Sequence, residues 1–155
     1  MTKDLKDLLL KDLCARLPYK PIVQIENCGI WNLRGIDHDD SAELIDRVIV
    51  WHGKNYPSSK NSFPISNCKP YLFPMSSMTE EQAKEMQEIV GSPKVACIMR
   101  KTEGLELWLN SVNTDPTIWL DTIFELQDWL NKHHFDWRGL IPKGLANDAT
   151  GLNIY

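Results

Sequence analysis

A chain of 155 residues, 43% hydrophobic and 25% charged, has the composition of one globular domain able to bury its own core. A net charge of -4 without a basic run argues against general phosphate-backbone binding, which rests on clustered Lys and Arg. Cys14, Cys28, Cys68 and Cys97 form no C-x-x-C pair and no run approaches the ~20 apolar residues of a membrane span, so no zinc, redox or spanning signature arises.

Residues 2–17 predict a first helix. Leu5, Leu9, Leu13 and Leu17 fall four apart and Leu8 widens the stripe, while Asp7 and Lys11 pair on the wet side. Pro18 and Pro21 end it. Ile22–Ile25 and Ile30–Ile36 then read as a hairpin about Asn27-Cys28-Gly29, and Glu43–Trp51 as a third strand after a turn at His38-Asp39-Asp40-Ser41. Residues 52–70 carry Gly53, Pro57, Pro64 and Pro70 without periodicity, which predicts a long irregular loop.

A second helix is expected over Thr79–Val90, with Ser77 and Glu80 at capping-box spacing and Gly91 at its end. Val95–Met99 and Leu105–Leu109 read as a second hairpin. Asp115 and Pro116 open a third helix, whose stripe of Trp119, Ile123, Leu126 and Leu130, broadened by Leu120 and Phe124, predicts the main core helix. An irregular tail follows from about residue 135. The order predicts a single α+β domain, an antiparallel sheet packed against about three helices.

Chemistry concentrates after the third helix, where His133, His134, Asp136, Trp137 and Arg138 lie within six residues. Adjacent histidines on a helix point about 100° apart, so this spacing predicts no metal site. Residues of this type at a helix C-terminus also interact with the negative end of the macrodipole. An Asp136–Arg138 ion pair is expected to close the turn. Trp137 and Arg138 are the residue types that dominate binding hot spots. Elsewhere, His52, Ser58, Ser59 and Cys68 are possible nucleophile–base members, but no nucleophile elbow, P-loop or dinucleotide motif accompanies them. Asp37, Asp39 and Asp40 around His38 fit a solvated turn better than a calcium loop.

Three stretches carry a resemblance. They are Lys11-Asp12-Leu13-Cys14-Ala15-Arg16-Leu17-Pro18-Tyr19, then Cys68-Lys69-Pro70-Tyr71-Leu72-Phe73-Pro74-Met75-Ser76-Ser77-Met78-Thr79, and Trp129 through Ile141. Together they resemble a group of small proteins encoded by phages and mobile elements of gut anaerobic bacteria. The chain departs from that group at Phe73, where the group carries Arg, and at Trp137, where it carries Tyr. The resemblance implies a phage or prophage origin and a place inside a bacterial cell; it implies no catalytic residue.

The reading that fits best is a cytoplasmic accessory protein with no cofactor and no bound metal. It would bind a partner, a protein before a nucleic acid and not a membrane, through His133, His134, Asp136, Trp137 and Arg138. The alternative is a small hydrolase using His133 or His134 with Asp136. A second alternative is nucleic-acid binding by Arg34, Arg47, Arg100 and Lys101 with Trp31 or Trp51 stacking.

Overall fold

The computed structural model describes residues 1–39, 45–51, 61–90, 95–100, 104–109 and 116–155, with side chains for 1–37, 48–50, 62–89 and 121–155. The architecture is α+β. Among the described residues, three α-helices, α1 (Lys3–Arg16), α2 (Glu80–Val90) and α3 (Pro116–Lys132), accompany a six-stranded, mostly antiparallel sheet and a two-stranded hairpin.

The sheet runs in the order β4-β3-β2-β1-β5-β8, with β1 Ile22–Ile25, β2 Gly29–Asp39, β3 Ile45–Trp51, β4 Asn61–Pro64, β5 Cys68–Leu72 and β8 Asn147–Asp148. The remaining hairpin joins β6 (Val95–Arg100) to β7 (Gly104–Leu109). The expected meander is present, and β2 extends through His38 and Asp39, which pair with Asp46 and Ile45 where a turn was expected. The register slips between Leu33 and Gly35, so Arg34 sits at a bulge.

Of the expected 52–70 loop, residues 61–70 are regular, and residues 52–60 lie outside the described residues. Asn61–Pro64 pairs with β3, Ile65–Asn67 makes a 3-10 turn, and Cys68–Pro70 pairs with β1. The register shows why Pro70 is tolerated. Glu26 N–H donates to Asn67 O at 2.9 Å, so hydrogen-bonded pairs fall at 26/67 and 24/69. Val23 and Pro70 face each other in the next pair, which is not hydrogen-bonded, so the ring nitrogen points away from β1.

Two apolar clusters result. One lies between the sheet and α1 and contains Leu9, Leu13, Val23, Ile25, Leu33, Val48, Val50, Ile65 and Leu72, closed by Leu140 and Leu145 from the C-terminal segment. Each such side chain taken fully from water contributes roughly 1.5–3 kcal/mol. The other joins Met75, Met86 of α2, Leu126 and Leu130 of α3, and Phe135. Phe124 belongs to neither: it is 61% exposed, contrary to the apolar stripe drawn for α3.

Helix ends follow from side-chain chemistry. Thr2 Oγ1 accepts from Leu5 N–H at the start of α1. At α2 the capping box is Thr79 and Gln82, not Ser77 and Glu80. Gln82 N–H donates to Thr79 Oγ1 at 3.2 Å, and Thr79 N–H donates to Gln82 Oε1 at 2.9 Å. Ser77 instead donates to Pro74 O within its own 3-10 turn. Asp115, the expected cap of α3, lies outside the described residues.

Candidate binding site at the turn after the third helix

The end of α3 is a Schellman motif built on an unusual residue. His134 N–H donates to Asn131 O at 3.1 Å and Phe135 N–H to Leu130 O at 3.0 Å, the paired bonds that satisfy a helix's last carbonyls. The residue between helix and exit must take a left-handed conformation, normally glycine. Here it is His134, at φ 57°. Its ring stacks on Tyr155 at 3.8 Å between centroids and 14° between planes, a contact that a glycine lacks. Phe135 then packs against Leu130 in the second cluster.

The exiting chain docks onto the strand region. Phe73 N–H donates to His134 O at 2.9 Å, and Asp136 N–H donates to Phe73 O at 2.8 Å. Asp136 is buried and turns the chain. Its Oδ1 accepts from Leu140 N–H and its Oδ2 from Ile141 N–H, both at 2.7 Å. Burial raises the Asp136 carboxyl above its ordinary value, and those two amides oppose the rise. Gly139 and Gly144 take positive φ, 67° and 70°, in the turns that follow.

Arg138 does not pair with Asp136 as expected. Its Nε lies 3.4 Å from Oδ1 of Asp12, on α1. Asp12 and Arg16, one helical turn apart, are both 0% exposed. Arg16 Nε donates to Asp12 Oδ2 at 2.7 Å, its Nη2 to Asp12 Oδ1 at 3.0 Å, and the same Nη2 to Phe135 O at 2.7 Å. A buried ion pair therefore fastens α1 to the turn after α3. Sequence reading missed it, though its signal exists: 9, 12, 13 and 16 are one helix face, so Asp12 and Arg16 interrupt the leucine stripe.

Tyr155 closes the cluster. Nearly half of it is exposed, yet its hydroxyl reaches inward, donating to Tyr71 O at 2.7 Å and accepting from Ile22 N–H at 3.3 Å. Burial pushes the phenol up to about 12. Burial likewise lowers His134 to about 4, helped by the charge of Arg16. His133 is lowered too, chiefly by burial. Both histidines are thus mainly neutral at pH 7, and the expected cation–dipole interaction at this helix end is weakened accordingly.

The five residues expected to form one site divide between inside and surface. His134 and Asp136 are buried and hold the turn. His133, Trp137 and Arg138 keep an outer edge. His133 lies against Trp129 at 4.3 Å between centroids, and Trp129 Nε1 donates to Glu85 Oε2 at 3.3 Å. Trp137 is half-buried. Its Nε1 donates to Asn131 Oδ1 at 3.0 Å, and the Arg138 guanidinium sits 4.1 Å from its ring centroid. What this segment leaves partly exposed is His133 beside Trp129, and Trp137 with Arg138 over its ring.

The hydrolase arrangement needs a base aimed at a nucleophile. His133 and His134 stack on different rings, and both Asp136 oxygens are occupied by backbone amides. Cys68 is buried, and its thiol is pushed up to about 12. His52, Ser58 and Ser59 lie outside the described residues, as do the side chains of His38, Arg47, Trp51, Arg100 and Lys101. Among the described residues no group of three or more His, Cys, Asp or Glu is placed to hold a metal ion, and no helix is long and apolar enough to cross a membrane. Compared with protein-family profiles, curated proteins and solved structures, the chain matches none.

Proposed function

We propose that this chain is a non-enzymatic accessory protein of phage or prophage type, acting in the cytoplasm by binding a partner protein through the surface around Trp137 and Arg138. The phage-type origin and the compartment rest on the sequence resemblance. The binding reading rests on one observation: Trp137 and Arg138 keep exposed edges while the indole N–H is bonded to Asn131 and the guanidinium lies beside Asp12 and over the indole. Immobilising a long side chain on binding costs about 0.5–1.5 kcal/mol, and these two have largely met that cost in the free protein. Trp and Arg held in this way are suited to serve as anchors.

The test is affinity purification from bacterial lysate with the wild-type chain and with Trp137→Ser, each shown folded by circular dichroism. A protein retained by the wild type and lost by the variant, then rebinding as a purified pair, supports the reading. A monomer that retains nothing, or a partner retained equally by both, overturns it.

A further inference from the structure

Beside the Trp137–Arg138 edge lies an open groove of about 460 Å³ between α1 and α3, lined by Ala15, Phe124, Glu125, Gln127, Asp128 and Asn131. Positions 124, 127, 128 and 131 form one face of α3. The groove joins the proposed binding edge at Asn131, whose Oδ1 holds the Trp137 indole. At its other end stands Phe124, 61% exposed. Its lining is one-sided in charge: Glu125 and Asp128 are the ionisable groups, and the exposed Asp121 continues the acidic row one turn earlier. The nearest cation along α3, Lys132, lies a turn beyond Asp128. Tyr19 OH donates to Asp128 Oδ1, which steadies that carboxylate.

An exposed ring beside two carboxylates suits an occupant that is both apolar and cationic. We propose that this groove seats a basic amphipathic segment of the partner protein, an Arg or Lys side chain meeting Glu125 and Asp128 and an apolar side chain covering Phe124. The proposal rests on the partner-binding reading and adds the chemistry of the partner. Ala15 on the α1 wall leaves room for a side chain. The carboxylates would contribute chiefly orientation and association rate, and Phe124 most of the affinity.

Two 12-residue peptides test it: one amphipathic peptide of Leu, Ala, Arg and Lys, and the same peptide with Glu for every Arg and Lys. Binding is read by fluorescence anisotropy at low and high salt, with backbone amide shifts in NMR as the map. The basic peptide is expected to bind and the acidic one not, with shifts confined to residues around 15 and 121–131. Phe124→Ser is expected to weaken binding about ten-fold, and Glu125→Lys, which leaves the Tyr19–Asp128 contact alone, about five-fold or more. Salt is expected to weaken it as the Debye length falls below about 8 Å. Glu80→Gln with Glu81→Gln on α2 is the control for non-specific attraction to an acidic protein and should change nothing.

Equal loss in that control, equal binding of both peptides, or shifts elsewhere overturns the proposal. A dimer abolished by Phe124→Ser, with no peptide binding, also overturns it and makes the occupant a second copy. If the peptide fails while a partner is captured by the wild type and lost by Trp137→Ser, the groove assignment falls and the proposed function stands. If both fail, both fall.

Discussion

Asp12→Asn probes the fastening between α1 and the turn after α3. The Asp12 carboxylate accepts two bonds from Arg16, at 2.7 and 3.0 Å, and stands 3.4 Å from Arg138. Asn keeps the volume and removes the charge, leaving a wholly buried guanidinium without its counter-ion. Breaking one side of a buried pair costs about 3–5 kcal/mol. Arg16 cannot readily swing to water, because its Nη2 is also held by Phe135 O at 2.7 Å. The expected loss is therefore about 3–4 kcal/mol, and with a urea slope of about 2 kcal/mol per molar the midpoint falls by roughly 1.5–2 M. The double change Asp12→Leu with Arg16→Met removes both charges and is expected to recover about half of that loss, since an apolar replacement of a buried pair is often neutral or better. The remainder reflects the Phe135 carbonyl left without its donor, about 1–3 kcal/mol. Urea denaturation of the three proteins decides. A single variant within about 1 kcal/mol of wild type, or a double variant less stable than the single, refutes the reasoning.

Acid should destabilise the chain through His134. Its native value, about 4, lies below its ordinary 6.5, so the stability it contributes is complete above 6.5 and lost as pH falls towards 4. The loss approaches about 3 kcal/mol at pH 4, and the raised carboxyl of Asp136 works in the opposite sense. His134→Asn, which suits φ 57°, should flatten thermal stability against pH between those limits; an unchanged profile counts against the assignment. Alkylation followed by peptide mass spectrometry should modify the exposed Cys14 and Cys28 and spare Cys68, whose thiol lies near 12; native-state labelling of Cys68 as fast as Cys28 contradicts its burial. Tyr155→Phe keeps the stack on His134 and removes both hydroxyl bonds, costing about 1–2 kcal/mol by denaturant titration. No change there would mean that the hydroxyl is solvated rather than docked.

Much of the fold is legible in the sequence because local signals agree with the tertiary result. The period-four leucines of α1, the Asn-Cys-Gly turn and the prolines that follow α1 each act within a few residues. The misreadings lie where distant partners decide. Asn61–Pro64 and Cys68–Pro70 carry loop composition but gain cross-strand partners from β3 and β1. Phe124 fits an apolar stripe, yet only the packing of α1, α2 and the C-terminal segment determines which side of α3 is covered. The capping box shifts by two residues because Ser77 is taken by Pro74 O, leaving Thr79 for Gln82.

The wiring of the turn after α3 was not legible in the sequence. Crowded aromatics and charges mark the turn, but Asp136 and Arg138 do not choose each other. Two amides in the next turn out-compete Arg138 for Asp136, and a carboxylate on α1, more than a hundred residues earlier, takes Arg138. The Schellman motif left no sequence trace either, since its left-handed position holds His134 rather than glycine.

The partner-binding reading is tested most directly by placing a photo-crosslinking amino acid at position 133, partly exposed beside Trp129 at the end of α3, and a second at Lys84, exposed on α2, in the chain produced inside bacteria. A discrete adduct with one partner protein is expected at position 133, absent at position 84 and abolished by Trp137→Ser. Equal adducts at both positions, or none at 133 while the chain remains folded, would contradict it.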